Sequence, residues 1–189
     1  FMGYSINSSI GSTTSSTRRS PKKVVAAILT GAMLSIVALA PAAHAADTTT
    51  TFELEGGSLI IDSPETANLG TADTGDDSLD GSLGENTVTD ARGVTLGWVA
   101  NVSSSSFVGS TGTTILASQA AYAPGDVSSD GIVTATAGDG GAMAAPQLAV
   151  TATEASGNNT ATWTPQVTVT LPAEALAGVY TATITHSVA

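Results

Sequence analysis

The acidic stretch Asp73–Asp80 holds the residues best suited to bind a metal ion. Its carboxylates belong to Asp73, Asp76, Asp77 and Asp80. Calcium takes about six to eight oxygen ligands, and clustered aspartates on a loop can supply several of them. The spacing differs from the Asp-x-Asp-x-Asp-Gly pattern of an EF-hand loop. Two interpretations remain: a calcium site formed by these four aspartates, or an acidic loop that is simply solvated.

Residues suited to catalysis are scarce. His186 is the only histidine after His44, and no Gly-x-Ser-x-Gly nucleophile motif accompanies it. It alternates with Ile184 and Val188, which predicts a position on the apolar face of a strand. Paired carboxylates can hydrolyse glycosides, but sixteen acidic residues make chance pairs abundant. We therefore expect no enzyme, and His186 is kept only as a candidate binding residue.

Arg92 and Trp98 are the other two candidate binding residues. Arg92 is the only basic residue after Lys23. Because sixteen acidic residues surround it in the sequence, we expect Arg92 to form an ion pair, with Asp90 or with a loop carboxylate. Trp98 lies on the apolar face of a predicted strand, where it either packs in the core or forms an exposed platform for a ligand.

The elements that must position these residues are predicted to be strands, because apolar and polar residues alternate with a period of two. No long helical periodicity appears after Ala46. The pattern predicts an all-β fold, an antiparallel immunoglobulin-like β-sandwich that forms one domain over residues 46–189. The predicted strands are Thr51–Glu55, Ser58–Asp62, Thr87–Thr89, Val94–Val102, Phe107–Val108, Thr113–Leu116, the region around Tyr122, Ile132–Thr136, Leu148–Ala152, Ala161–Leu171 and Tyr180–Val188.

Two connections at the start of this domain have their own predictions. Gly56 and Gly57 favour a tight turn that would pair Thr51–Glu55 with Ser58–Asp62. Residues 64–84, rich in Asp, Gly, Ser and Thr, are predicted to form a long loop.

Two residues near the end of the chain predict local features of its last strands. Pro165 has no backbone N–H, so its strand should lie at a sheet edge or carry a bulge there. Tyr180 follows a corner at Pro172–Gly178 and is typical of a tyrosine corner. We therefore expect the Tyr180 hydroxyl to bond to the backbone of that corner.

Charge is divided sharply along the 189 residues, whose net charge is −11. Four of the five basic residues lie at positions 18–23, whereas the chain from Ala46 onward holds sixteen acidic residues and one arginine, a net charge of −15. Such a body lacks the basic footprint that nucleic acids and anionic membranes require. Its self-repulsion favours a monomer. With no cysteine, the core alone must hold the fold.

Residues 1–45 have the layout of an export signal. The basic cluster at 18–23 precedes an apolar run of 17 residues, Val24–Ala40, and Ala43-His44-Ala45 then forms a small-x-small cleavage site. A signal peptide with a disordered n-region is therefore predicted, with a secreted chain that begins at Ala46 and has no membrane segment. The alternative is a membrane anchor, since 17 residues lie at the lower limit for a span.

Two segments resemble the signatures of the WxL surface domains of Gram-positive bacteria. Val88–Gly93 followed by Gly97-Trp98 is similar to the first signature, and Ala177–Val188 is similar to the terminal strand that carries the second. Where that family has Trp-x-Leu, this chain has Trp98-Val-Ala and then His186-Ser-Val. The resemblance implies an extracellular, cell-wall-associated domain, held non-covalently by a cell-wall polymer or by another surface protein.

Two classes of function follow from the sequence. The first is a secreted, non-catalytic binding module of the cell surface. The alternative is a structural adhesin or fibre subunit that assembles by strand exchange.

Overall fold

The computed structural model describes residues 45–189, so the predicted signal peptide lies outside the described residues except for its last residue. The chain divides into two units, residues 1–49 and 50–189, and the fold below is that of the second. In the part of the chain that is described, no helix has the length and apolar character needed to cross a membrane.

The described chain is all-β, with antiparallel sheets in a sandwich-like arrangement, as the alternating pattern predicts. One 3-10 helix, Ala117–Gln119, is the only helical element of residues 45–189. The strands are β1 (Leu59–Asp62), β2 (Ser78–Ser82), β3 (Asn86–Asp90), β4 (Trp98–Ser104), β5 (Phe107–Gly109), β6 (Thr114–Ile115), β7 (Ala120–Ala123), β8 (Val127–Ala137), β9 (Gly141–Ala142), β10 (Gln147–Trp163), β11 (Gln166–Thr170), β12 (Tyr180–Thr181) and β13 (Ile184–Val188).

Three antiparallel sheets contain these strands. The largest has the order β1-β3-β10-β4-β13, and β8 also pairs with β10. The second has the order β2-β11-β7-β9, and the third is β12-β5-β6. Among these paired strands, only β5 and β6 are consecutive in the chain, whereas β10 and β11 are consecutive strands that belong to different sheets.

The long strand β10 organises the largest sheet. Its residues Asn159–Trp163 pair with β3, its residues Gln147–Ala152 pair with β4, and β8 pairs with both halves. Because β8 occupies one edge of β10 throughout, β3 and β4 lie end to end along the other edge. Residues 91–97 connect β3 to β4 and belong to no strand. This segment is called the excursion below.

This sheet bends back on itself. Trp163 ends β10, and His186 pairs with Val102, which in turn pairs with Gln147 at the start of β10. A straight strand would hold Gln147 and Trp163 about 50 Å apart. Yet both Trp163 and His186 reach the hydroxyl of Tyr122, at 2.8 Å and 3.3 Å. The bend coincides with register shifts between Thr153 and Asn159 in the pairing of β10 with β8.

The core lies inside this bend and against the second sheet. Both tryptophans are 2% exposed, which confirms the core position that the alternation favours for them. The burial of β3, β4 and β11 alternates residue by residue, as expected for strands with one inward face. The largest fully buried side chains are Trp98, Trp163, Tyr122, Met143, Val88, Val102, Val150, Val167, Asn86, Asp90 and Pro165.

The predicted strand Val94–Val102 is wrong in its first four residues. The strand begins at Trp98, and Leu96 is 63% exposed. Gly97 runs so close to the carbonyl group of Ala152 that a Cβ at this position would overlap it. Val94 and Leu96 therefore keep the alternating sequence pattern of a strand although their segment lies outside the sheet.

The predicted hairpin around Gly56-Gly57 is also wrong. Instead of reversing, the chain continues the ladder between β1 and β3, because the Gly57 N–H donates to the Ala91 carbonyl at 2.7 Å. Thr51–Glu55 forms no strand, and its apolar residues Phe52 and Leu54 are 93% and 88% exposed. Without a reversal, no strand within residues 45–189 lies beside this segment.

Two further corrections concern loops and breaks. The predicted loop 64–84 contains β2, which pairs with β11. The predicted strand Ala161–Leu171 is broken at Pro165, which lies neither at an edge within one strand nor in a bulge. It separates β10 in the first sheet from β11 in the second. The alternation passes through Pro165 unchanged because both sheets face the same core.

Candidate functional site

The four aspartates of the predicted calcium site do not converge. The Asp76 carboxylate accepts the Asp73 N–H at 2.8 Å, while Asp80, in β2, accepts the hydroxyl of Thr168. Within residues 45–189, no group of three or more His, Cys, Asp or Glu side chains is placed to hold a metal ion. The structure therefore distributes Asp73, Asp76, Asp77 and Asp80 along a solvated segment and brings no calcium site together.

Arg92 closes the excursion between β3 and β4. Its Nε and Nη2 atoms donate to the two carboxylate oxygens of Asp90, both at 2.9 Å, which confirms the ion pair expected between these residues. Nη2 also donates to the carbonyls of Leu96 and Gly97, at 3.3 Å and 3.2 Å. The side chain thus ties the start of the excursion to its end.

Asp90 is buried beside Arg92, in a cluster that also includes the buried residues Trp98 and Asn159. Asp90 is 1% exposed and Arg92 is 26% exposed. The Arg92 guanidinium, which bonds to Asp90, holds the pKa of that carboxyl below its ordinary value, although burial acts to raise it. The same bond raises the pKa of Arg92. Next to them, the Trp98 Nε1–H donates to the Asn159 side-chain oxygen at 3.4 Å.

These contacts decide the roles of two candidate binding residues. The Arg92 charge is matched by Asp90, and its Nη2 group also donates to two backbone carbonyls. Trp98, at 2% exposure, offers no platform to a ligand. Both residues position the corner of the folded sheet.

His186 belongs to a second polar chain, which crosses the core. The Trp163 Nε1–H donates to the Tyr122 hydroxyl at 2.8 Å, and His186 Nε2 lies 3.3 Å from that oxygen. The rings of Tyr122 and His186 meet edge to face, with centroids 5.7 Å apart. All three groups are satisfied when the hydroxyl donates to a neutral imidazole.

Burial favours the neutral forms of both titratable members of this chain. It raises the pKa of Tyr122 to about 12, although the bond from Trp163 opposes the shift. It lowers the pKa of His186, so the imidazole is uncharged at neutral pH. A neutral His186 accepts the hydrogen bond of the Tyr122 hydroxyl through Nε2.

A cavity of about 1100 Å³ opens beside His186. Its walls are the connection from β1 to β2 (residues 63–76), the segment from the end of β11 to the start of β13 (residues 171–184), and inner side chains of the sheets. Those inner side chains include Leu83, Asn86, Phe107, Ile115, Val169 and His186. The lining mixes apolar and polar groups, as in sites that bury most of a ligand.

Asn86 is the unusual residue of this lining. Its side chain is 0% exposed, yet neither its amide nitrogen nor its oxygen has a hydrogen-bond partner in the described chain. An unsatisfied buried polar group costs about 1–3 kcal/mol. Because Asn86 also lies in the cavity wall, this residue and the cavity are the candidate binding site.

Nothing in the sequence predicts that Asn86 is a binding residue. It is the first residue of a short polar strand and stands in no recognisable motif. Of the predicted site residues, His186 lies in the cavity wall, as do Asp73 and Asp76 of the predicted calcium site. Comparison with known proteins adds nothing to this geometry, since no family model matches the chain and no curated protein or solved structure proves similar to it.

Proposed function

We propose that this domain is a secreted, non-catalytic binding module of the bacterial cell surface, held there non-covalently by contacts with a surface partner. The observation that carries the proposal is the 1100 Å³ cavity whose wall includes Asn86, a buried amide with both hydrogen-bonding atoms free. Its polar groups are suited to recognition, and burial lowers the pKa of His186 in its wall, which favours the neutral imidazole.

The chemistry of Asn86 fits an extended polypeptide as a partner. A side-chain amide presents one donor and one acceptor side by side. Each residue of an extended chain presents its N–H and C=O on the same side, as in the paired positions of an antiparallel ladder. One extended residue could therefore satisfy both atoms of Asn86.

Export and attachment come to this proposal from the sequence. The predicted signal peptide accounts for secretion, and the resemblance to WxL domains accounts for retention at a cell wall. A net charge of −15 after Ala46 opposes a purely electrostatic attachment to an anionic wall. Short-range contacts, such as those of the cavity, are then required.

Fractionation of expressing Gram-positive cells tests this function. We expect the protein in the wall fraction, extracted by denaturant and without cleavage of a covalent link. Its intact mass should correspond to a chain that begins at Ala46. Recovery only in the membrane fraction, with Val24–Ala40 retained, would replace the proposal with an anchored protein.

A further inference from the structure

The segment Thr51–Glu55 has the pattern of a strand, but no strand of residues 45–189 pairs with it. Phe52 and Leu54 alternate with Thr51, Glu53 and Glu55, so an extended conformation would place both large apolar side chains on one face. They are 93% and 88% exposed, the two highest values among the exposed large hydrophobic residues of residues 45–189. Such exposure of neighbouring large apolar side chains marks an interaction site.

The cavity has an apolar wall and an unpaired amide, and the segment Thr51–Glu55 has apolar side chains and backbone hydrogen-bonding groups that match them. Its apolar wall includes Phe107, Ile115 and Val169, and its buried Asn86 needs one donor and one acceptor. Leu54 or Phe52 would cover the apolar wall, and a backbone N–H and C=O of the same segment would pair with the amide of Asn86. Glu53 and Glu55 would then point away from the wall.

The two features lie at opposite ends of the same strand pair. Thr51–Glu55 leaves the domain ahead of Leu59, which pairs with Asp90. The cavity begins at Ser63, just beyond Asp62, which pairs with Thr87 next to Asn86. The segment therefore leaves the sheet at the end remote from the cavity of its own chain, and its exposed side chains do not fold back.

We infer that the partner of this cavity is a second copy of the chain, which inserts Thr51–Glu55 as a donor strand. This inference rests on the proposed function, because it names the partner of the same site. Since donor and acceptor lie at opposite ends of the domain, each copy uses both, and the contact is heterologous. Repetition of such a contact generates an open fibre, or a ring where the rotation closes. This inference gives the fibre-subunit alternative a defined donor segment and a defined acceptor cavity. It also replaces the monomer that the acidic charge predicts.

The charge sets a condition on this assembly. Every copy carries −15 after Ala46, and the donor strand itself brings Glu53 and Glu55. Repulsion between copies should fall as salt shortens the Debye length, from about 30 Å at 0.01 M to about 8 Å at 0.15 M. We therefore expect association to strengthen as the sodium chloride concentration rises over this range.

Sedimentation velocity of the purified secreted protein tests the inference. We expect wild type to form species larger than a monomer at 0.15 M salt, in proportions that grow with concentration. The donor variant Phe52→Asp/Leu54→Asp should sediment as a monomer. The control Leu116→Asp/Ile132→Asp removes two other exposed apolar side chains, which are 56% and 67% exposed, and should still assemble.

Acceptor variants test the cavity itself. Ala182→Trp places a large side chain on the cavity lining. Asn86→Leu replaces the free amide with an apolar side chain of similar size. Ala182→Trp should block assembly, and Asn86→Leu should weaken it. The donor variant mixed with Ala182→Trp should give dimers and nothing larger, because only one functional donor and one functional cavity are present in each pair. No dimer in this mixture would overturn the inference, provided that both variants melt as cooperatively as wild type.

A peptide with the sequence of residues 50–58 provides a readout independent of the assembly. In excess, it should cap wild-type chains into monomers and bind the donor variant. Its affinity for Asn86→Leu should be about tenfold lower or weaker, since a net hydrogen bond corresponds to roughly that factor. A peptide with aspartate in place of both apolar residues should not bind. A monomeric wild type that ignores the peptide would overturn the inference.

Failure of this inference can be separated from failure of the proposed function. Isolated Gram-positive cell walls, used as a pull-down matrix, report on the function. If wild type is monomeric and ignores the peptide, yet Ala182→Trp loses retention on walls, the second copy is the wrong partner and the binding module stands. If Ala182→Trp changes neither assembly nor retention, both proposals fall.

Discussion

Arg92 holds Asp90, two residues before it, by two parallel hydrogen bonds of 2.9 Å to both oxygens of a carboxylate that is 1% exposed. The same guanidinium reaches the carbonyls that precede Trp98. One side chain therefore fixes both ends of the excursion between β3 and β4. The corner of the folded sheet, and with it the start of β4, depends on this pair.

Substitution of either Asp90 or Arg92 should destabilise the domain, in one case by leaving a charge unpaired and in the other by losing the two-bond geometry. Asp90→Asn removes a buried charge but leaves Arg92 without its partner, and we expect a loss of about 1.5–3 kcal/mol in the free energy of unfolding. Arg92→Lys keeps the positive charge but cannot form the planar two-bond contact, so it should also be destabilising. Urea denaturation measures both variants. Wild-type stability in Arg92→Lys would mean that charge alone, without the fork geometry, holds the corner.

Stability should fall on the acid side in two steps. Burial lowers the pKa of His186, so the unfolded chain binds a proton more readily near its ordinary pKa of about 6.5, and stability decreases as pH falls through that value. The pKa of Asp90 is also lowered, so its contribution is fully present above an unfolded pKa of about 3.9 and is lost as pH falls below it.

His186→Gln separates these two steps. Glutamine can still accept a hydrogen bond from Tyr122 but does not titrate. Thermal melts of both proteins from pH 8 to pH 5 should diverge, with wild type losing stability faster below about pH 6.5. Below about pH 4, both should decline together through Asp90. Parallel melting curves from pH 8 to pH 5 would contradict the burial of a neutral His186.

Tyr180 contributes a hydrogen bond at the corner before β12. Its hydroxyl donates to the Leu176 carbonyl at 2.8 Å, which confirms the tyrosine-corner bond that the sequence predicts. Tyr180→Phe should lower the free energy of unfolding by about 0.5–1.5 kcal/mol. Thr113→Val is the matched control, because it removes only the longer contact of 3.3 Å to the same hydroxyl. A Tyr180→Phe variant that melts like wild type would show that the bond contributes nothing.

Trp98 should be a stability residue. At 2% exposure it packs in the core, and its single polar contact, to Asn159, is long at 3.4 Å. Trp98→Ala should cost about 3–5 kcal/mol, whereas Trp98→Phe, which keeps an aromatic ring, should cost less. Chemical denaturation of the two variants measures the difference. A Trp98→Ala protein of normal stability would contradict core packing.

The sequence predicts the all-β class and most strands because burial on one face leaves a period of two. It fails where that pattern and hydrogen bonding disagree. Val94 and Leu96 alternate correctly, but Arg92 binds the backbone carbonyls at the end of their segment and draws it out of the ladder. In β2, only Leu79 among its five residues is apolar, so pairing with β11 leaves no visible period.

The candidate site was less predictable than the fold. The Asp90–Arg92 pair is local in sequence, and one arginine among many acids has few alternatives. The contacts of Tyr122 with Trp163 and His186 depend on how far the large sheet bends, which no local pattern specifies. Asn86 becomes conspicuous only when its surroundings supply no partner.

Retention on isolated Gram-positive cell walls, measured from 0.01 M to 0.15 M sodium chloride, tests attachment through the cavity most directly. Wild type should be retained equally or more strongly as salt rises, because screening weakens the repulsion between a body of net charge −15 and an anionic wall. A calcium chelator should change nothing. Ala182→Trp, which fills the cavity, should lose retention, while Ala121→Trp, on the exposed face of β7, should not. Retention that collapses with salt, or that persists unchanged in Ala182→Trp, would contradict attachment through the cavity.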